Sequence, residues 1–328
     1  MGERVFVTGG SGLIGRALLR RLIERGDRVV ALARSDEAAA DLGSLGADVV
    51  RGDLLDRAAL AEGLRGSAIA YNVAGVNALC PTDPAPLYRV NRDGARAIAR
   101  AAAAAGVRRV VHTSSAATLG EAAGTIGSED SPHRGTFLSD YERSKTEGER
   151  AVLDEAARTG LDVVCVNPSS VQGPGRTGGT GRILLALLDR RLPLFIDTRF
   201  SVTDIADTVE AHLLAAERGV AGRRYVLCGA VLTTAEALAL LSRVSGHAVR
   251  PRIVPDALAS AAGVIAEAAY RVARRHPPFC RAMVRTMIHG HAYDGSRATA
   301  ELGLRYTPVE DTLRRTLEWA RAEGLVRT

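Results

Sequence analysis

The segment Val5-Phe6-Val7-Thr8-Gly9-Gly10-Ser11-Gly12-Leu13-Ile14-Gly15 constrains this chain more than any other stretch. A short apolar run ends in glycines and passes at once into the helical pattern LIGRALLRRLIERG (13–26), which reads as strand, tight turn and helix. In that setting Gly9 permits the turn, Gly12 lets the backbone approach a pyrophosphate, and Gly15 allows close packing of helix on strand. Free N–H groups at the helix start, around Leu13 and Ile14, attract phosphate. Ordinary turns also use glycine. The strand before and the helix after are what make this a dinucleotide fingerprint.

The alternation continues down the chain. RVVALAR (28–34), ADVVRGD (47–53), SAIAYNVAG (67–75), VRRVVHTSS (107–115) and LDVVCVNP (161–168) read as strands, with helical patterns at about 56–65, 86–106 and 139–160. This predicts an α/β fold, a Rossmann doubly wound parallel sheet with helices on both faces. Beyond Pro168 the pattern loosens. The glycine-rich GPGRTGGTGR (173–182) reads as a flexible connector, RRYVLCG (223–229) as one more strand, and most of the remainder as helix. The expected domains are 1–172 plus about 199–228 for the nucleotide, and about 173–198 plus 229–328 for a smaller, mostly helical substrate lobe. The substrate then belongs in the crevice between them, at the carboxyl ends of the strands.

At the end of the second strand, ALARSD places Arg34 and Ser35 where NAD binders usually offer a carboxylate to the ribose. A guanidinium there suits a 2′-phosphate through a forked contact, which favours NADP(H) over NAD(H). A surface arginine without a task is the alternative in so arginine-rich a chain. Asp53, ending the third strand, is placed to accept a hydrogen bond from the adenine amino group or to cap the next helix, and the two roles are compatible.

Lys145 is the only lysine among 43 Lys+Arg residues. It stands four residues after Tyr141 in YERSK, so both project from one face of a helix. A phenol with an ordinary pKa of about 10 is a poor proton relay at neutral pH. A neighbouring ammonium lowers that pKa and also bonds nicotinamide ribose hydroxyls, in a point geometry that arginine does not reproduce. The alternative is an exposed helical pair. Ser115, after the fifth strand, is placed to hold a substrate oxygen beside Tyr141. Strand alternation turns Ser114 the other way, and His112 reads as a packed strand histidine.

Composition narrows the partners. The formal net charge is +6, but the pairs Arg108-Arg109, Arg190-Arg191, Arg223-Arg224, Arg274-Arg275 and Arg314-Arg315 are scattered among 37 acidic residues, and aromatics are 4%. That argues against nucleic acid. No apolar run approaches the roughly 20 residues that span a bilayer, and the N-terminus lacks the pattern of a signal peptide. Cys80, Cys165, Cys228 and Cys280, far apart and without CxxC spacing, read as free thiols in a reducing cytoplasm. The lobe from about 229 onward, including the segment 257–285, is expected to close over the substrate. The alanines and arginines of that segment equally suit a packed helical cap or a homodimer face, and a basic amphipathic helix on a membrane surface is a lesser alternative.

These motifs together resemble the extended short-chain dehydrogenase/reductase superfamily and its NAD-dependent epimerase/dehydratase family. The likeness rests on TGGSGLIG, Asp53-Leu54, Tyr71-Asn72-Val73-Ala74-Gly75, TSS ending at Ser115, YERSK, NPSSVQGPG (167–175), SVTDIADTVEAHLLA (201–215) and DGSRATAELGLRYTP (294–308). The resemblance implies Ser115, Tyr141 and Lys145 as the catalytic set, with Pro168 and Val171 flanking the nicotinamide and Ala74 touching the cofactor through its backbone. Ser170, Asp197-Thr198-Arg199, Ser201 and Ala116-Ala117 depart from the patterns of nucleotide-sugar enzymes. ALARS, NPSSVQGPG and GRILLALLDRRLPLFIDT are closer to the dihydroflavonol-reductase-like and hopanoid-associated epimerase-like branch. The resemblance thus implies reduction of a small carbonyl compound, or oxidation of its alcohol. The alternative is an epimerase or dehydratase acting on a (nucleotide) sugar with retained cofactor.

Overall fold

The computed structural model describes residues 2–273 and 279–327, so the Arg274-Arg275 pair lies outside the described residues. The strands are β1 (Arg4–Thr8), β2 (Arg28–Ala33), β3 (Asp48–Arg51), β4 (Ile69–Asn72), β5 (Arg109–Thr113) and β6 (Asp162–Pro168). They continue with β7 (Ser170–Gln172), β8 (Leu194–Ile196), β9 (Arg199–Asp204), β10 (Arg224–Leu227), β11 (Ala230–Thr233) and β12 (Arg252–Val254). The helices are α1 (Leu13–Glu24), α2 (Asp36–Ser44), α3 (Arg57–Leu64), α4 (Ala85–Tyr88), α5 (Ala95–Ala104) and α6 (Asp140–Thr159). After them come α7 (Thr180–Leu188), α8 (Ile205–Arg218), α9 (Thr234–Ser245), α10 (Asp256–Val272), α11 (Arg281–His289) and α12 (Val309–Ala322).

Seven strands form one parallel sheet in the order β10-β6-β5-β4-β1-β2-β3. Successive side chains serve opposite faces. Val5 and Val7 of β1 pack with Leu18, Leu19 and Leu22 of α1 and Leu213 of α8. Phe6 packs with Leu60 of α3, Ile98 of α5 and Val152 of α6. Both faces are therefore buried, which is why these strands read as near-continuous apolar runs. The strand order reverses between β1 and β4, so their carboxyl ends open a crevice where ligands bind in such sheets.

A separate apolar core joins Leu184 and Leu188 of α7, Phe195 of β8, Leu240 and Leu241 of α9, and Leu313 and Leu317 of α12. The region after Pro168 is less purely helical than its sequence suggests. Strands β7, β9 and β11 form a three-stranded sheet, and β8 pairs with β12. These strands are three to six residues long and pair with distant segments, so no local periodicity announces them. No helix among the described residues is long and apolar enough to cross a membrane.

The cysteine reading needs correction. Cys80 and Cys280 form a disulfide across 200 residues, with Cα atoms 5.7 Å apart, while Cys165 and Cys228 are free and buried. Sequence spacing reads only local pairs, whereas here the fold lays the loop after β4 against the start of α11.

Asp204 ties the two cores together. It is buried, caps α8 by accepting from Ala206 N (2.7 Å), and accepts from Thr312 Oγ1 (2.7 Å) and Arg315 (2.6 Å) of α12. Asp204→Ala removes a helix cap and leaves Thr312 and a half-exposed Arg315 without their acceptor. Urea denaturation should register a loss of roughly 2–4 kcal/mol.

Candidate active site

The turn after β1 is built around one close approach. Gly9 has φ +72°, and a Cβ on Gly15 would fall 2.1 Å from its carbonyl oxygen. Helix α1 can start this close to the strand only without a side chain at residue 15. By contrast, a Cβ on Gly12 would meet only the Gly9 oxygen, at 3.4 Å. No side chain caps the first turn of α1, so the N–H groups of Leu13 and Ile14 are left for another acceptor. This cradle fits the pyrophosphate of a dinucleotide. Thr8 Oγ1 donates to Asn72 Oδ1 (2.7 Å) and accepts from Ala74 N (3.3 Å), locking the ends of β1 and β4 together beside it.

Near this turn lie the other residues singled out in the sequence. Arg34 is exposed at the end of β2, with no ion-pair partner among the described residues, and Ser35 caps α2 by accepting from Ala38 N. Asp53 is half-exposed and accepts from Leu55 N (3.1 Å). It does not cap α3, because the turn carries the chain three residues further and Asp56 takes that position. The Leu54 side chain is packed in the core, which leaves its backbone for any cofactor contact. Pro168 ends β6 and Val171 lies in β7, both buried where the sheet meets the loop 173–179.

Ser115, Tyr141 and Lys145 converge at the carboxyl ends of β5 and β6. Helix α6 begins cleanly because Ser139 caps it by accepting from Glu142 N, and it ends at Gly160 in a left-handed conformation. Tyr141, in its first turn, is partly exposed to the crevice. One turn on, Lys145 is buried and its Nζ donates to the Thr113 carbonyl (2.8 Å). Ser115 starts the 3₁₀ turn Ala116–Leu119, and its carbonyl accepts from Thr118 Oγ1 (2.8 Å) and Asn167 Nδ2 (3.2 Å). Ser114 is buried on the other side of the strand end, and His112 is a packed strand histidine 2.9 Å from Asn72 Nδ2. Burial, and then the charge of Lys145, hold His112 well below the usual imidazole pKa.

Two site residues escaped the sequence reading. Asn91 lies in a π-turn, Arg89–Gly94, between α4 and α5. It donates to Ser144 Oγ (2.9 Å) and to Val76 O (3.0 Å), and accepts from Val76 N (2.8 Å). Its carbonyl lies so near α6 that a Cβ on Gly148 would fall 2.0 Å away. A π-turn inside a helical run frequently marks a functional site, yet no residue pattern predicts it. The second is Arg176, from the segment read as a flexible connector. Its side chain packs against Gly181, its Nε is buried without a hydrogen-bond partner, and its charge acts on the Tyr141 phenol.

Desolvation dominates the electrostatics of both Tyr141 and Lys145. Desolvation of the phenol raises the Tyr141 pKa above its ordinary value, opposed by the nearby Ser115 side chain and then by the charge of Arg176. Lys145 is not among those opposing groups. Burial lowers its own pKa to about 8, against the field of Glu149, and its ammonium is committed to the Thr113 carbonyl. Arg176 is thus a second cation, whose field favours phenol ionisation. Because Lys145 titrates near 8 when folded and near 10.5 otherwise, the unfolded chain binds more protons between those values. Its charge therefore costs stability below pH 8, and the cost is relieved as pH rises through the window. Lys145→Met should lose this dependence. Denaturation at pH 7 and pH 10 should show wild type gaining about 2–3 kcal/mol relative to the variant.

The chain resembles known proteins over nearly its whole length. Residues 5–228 match the NAD dependent epimerase/dehydratase family. The chain is 34% identical to Sterol demethylase protein B of Methylococcus capsulatus, covering 98% of this chain and 99% of that protein. It is 33% identical to a putative dihydroflavonol 4-reductase of Synechocystis sp., covering 100% and 97%. Other relatives carry ketoreductase, oxoalkanoate reductase and cinnamoyl-CoA reductase names. The crystal structure of gox2253 superposes with a TM-score of 0.86 at 28% identity, over 99% of this chain and 100% of that one. A cradle for a dinucleotide, a parallel sheet reversing beside it and these likenesses have one reading: the chain is a member of the NAD-dependent epimerase/dehydratase family, within the extended short-chain dehydrogenases/reductases.

Proposed function

We propose that this protein reduces a ketone or aldehyde of a small, fairly apolar molecule, or oxidises the matching alcohol, with NADP(H) as coenzyme. The observation that carries this reading is the Tyr141 phenol near Ser115 and within the field of Arg176, with Lys145 buried one turn along α6 and bonded to the Thr113 carbonyl. Reductase names among the relatives support the same reaction class.

When bound, the nicotinamide supplies the redox equivalent. The chain's own residues manage the substrate oxygen and its proton. Ser115, its backbone fixed by Thr118 and Asn167, holds the oxygen beside the phenol. A phenol with an ordinary pKa of about 10 carries its proton at neutral pH, so in the reductive direction the Tyr141 O–H bond breaks and the proton passes to the oxygen as negative charge develops there. Arg176 steadies the phenolate that remains. Lys145 supports the ribose side of the pocket, held by the Thr113 carbonyl. Gly9, Gly12, Leu13, Ile14 and Gly15 would hold the pyrophosphate, with Asp53, Leu54 and Ala74 serving the adenosine half and Pro168 and Val171 the nicotinamide. Arg34, exposed at the end of β2, would receive the 2′-phosphate.

Tyr141→Phe keeps the shape and removes the proton. In a screen of carbonyl compounds followed by NADPH oxidation, kcat/KM should fall about 10²–10⁴-fold, with NADPH binding, read by fluorescence, unchanged. Full activity in that variant would remove the tyrosine from the chemistry. Turnover without net NADPH consumption would identify an epimerase.

Arg34→Ala should raise KM for NADPH about 10–100-fold, the loss of one charge-assisted contact, and leave NADH use unaltered. Equal use of both coenzymes by wild type would leave Arg34 without this role.

A further inference from the structure

Glu121 follows the 3₁₀ turn that begins at Ser115 and is buried, at 2% exposure. Burying a carboxylate is expensive unless both oxygens find partners. Its Oε1 lies 2.6 Å from His291 Nδ1 and 3.6 Å from His289 Nε2, while Oε2 is buried with no hydrogen-bond partner. His289 Nε2 is likewise buried and lacks a hydrogen-bond partner. The nearby guanidinium does not answer this need. Arg134 is ion-paired with Glu142, and its Nη1 bonds the backbone carbonyl of Glu121 (3.1 Å), not the carboxylate.

The chain builds this cluster deliberately from distant parts. Helix α11 ends at His289, and Gly290, with φ +63°, turns the backbone so that His291 also faces Glu121. The two imidazole rings stand 5.3 Å apart, tilted by 50°. Tyr293 is fixed by a bridge to Gly127 and places its hydroxyl 2.9 Å from His291 Nδ1.

We propose that Glu121, His289 and His291 bind one divalent transition-metal cation, for which zinc(II) is the best chemical match, at the rim of the candidate active site. Two imidazoles and a carboxylate form a zinc-type donor set. Their donor atoms all lie within 4.8 Å of one another. Ligands at zinc bond lengths in a tetrahedron are separated by about 3.3 Å, so the His289 contact already has nearly the right span. The cation takes the place of the hydrogen bond between Glu121 and His291, whose proton moves to the other ring nitrogen. Tyr293 stands near the remaining position. Such an ion fastens the loop after β5 to the segment leaving α11, and so holds the region after 229 against the sheet. The inference does not depend on which carbonyl compound, if any, is reduced.

The test uses the full-length, untagged chain, stripped of metal and titrated with zinc chloride by calorimetry and with cobalt chloride by absorption. One equivalent should bind in or below the micromolar range, raise the melting temperature, and give cobalt bands of a four- or five-coordinate nitrogen/oxygen site without thiolate charge transfer. Glu121→Gln and His289→Ala should each weaken binding about tenfold or more. Absence of stoichiometric binding in wild type, or unchanged affinity in both folded variants, would overturn the site. If the variants do not fold, the wild-type cobalt spectrum decides: octahedral or thiolate bands count against it.

Discussion

A buried ammonium organises the centre of this molecule. Removing a lysine charge from water costs several kcal/mol unless the surroundings answer it. Here the Thr113 carbonyl accepts from it and Glu149 lies close enough to stabilise the charge. Those two groups belong to β5 and α6, so satisfying one cation fixes the helix on the sheet. An arginine would bring five donors in a rigid plane to a place that offers one carbonyl, which is the physical reason that the chain departs from its arginine habit once.

The surrounding polar groups form a connected layer at the carboxyl ends of the strands. Thr8, Asn72 and His112 link β1, β4 and β5 through side chains alone. Thr113 bonds His212 of α8 (2.7 Å), and Asn167 joins β6 to Thr118 and to Glu149 of α6. Each buried donor that finds an acceptor avoids a desolvation penalty, and together they leave little freedom in the site's geometry. Asp204 and the Cys80–Cys280 disulfide extend the same rigidity to the helices beyond β10.

Much of this was legible in the chain. Strand–helix alternation and the glycine turn after β1 are written in local periodicity, because a strand repeats every two residues and a helix about every 3.6. The i, i+4 spacing of Tyr141 and Lys145 is equally local, as is the capping of α6 between Ser139 and Gly160. Such features need only the identity of near neighbours. The contribution of Arg176 was not legible: it comes from a glycine-rich segment far from Tyr141 in the chain, and only the fold brings its charge to bear on the phenol.

Amino-acid order alone therefore dictated the family of fold, the phosphate cradle and the tyrosine–lysine pair. Folding in three dimensions dictated the rest: the bond between Cys80 and Cys280, the approach of Asn91 to α6, the burial of Arg176, and the meeting of Glu121 with two histidines from the end of α11. All of these join segments far apart in the chain. Their partners are chosen by packing, and solvent exclusion, which sets the energy of every charge involved, exists only once the chain has closed around them.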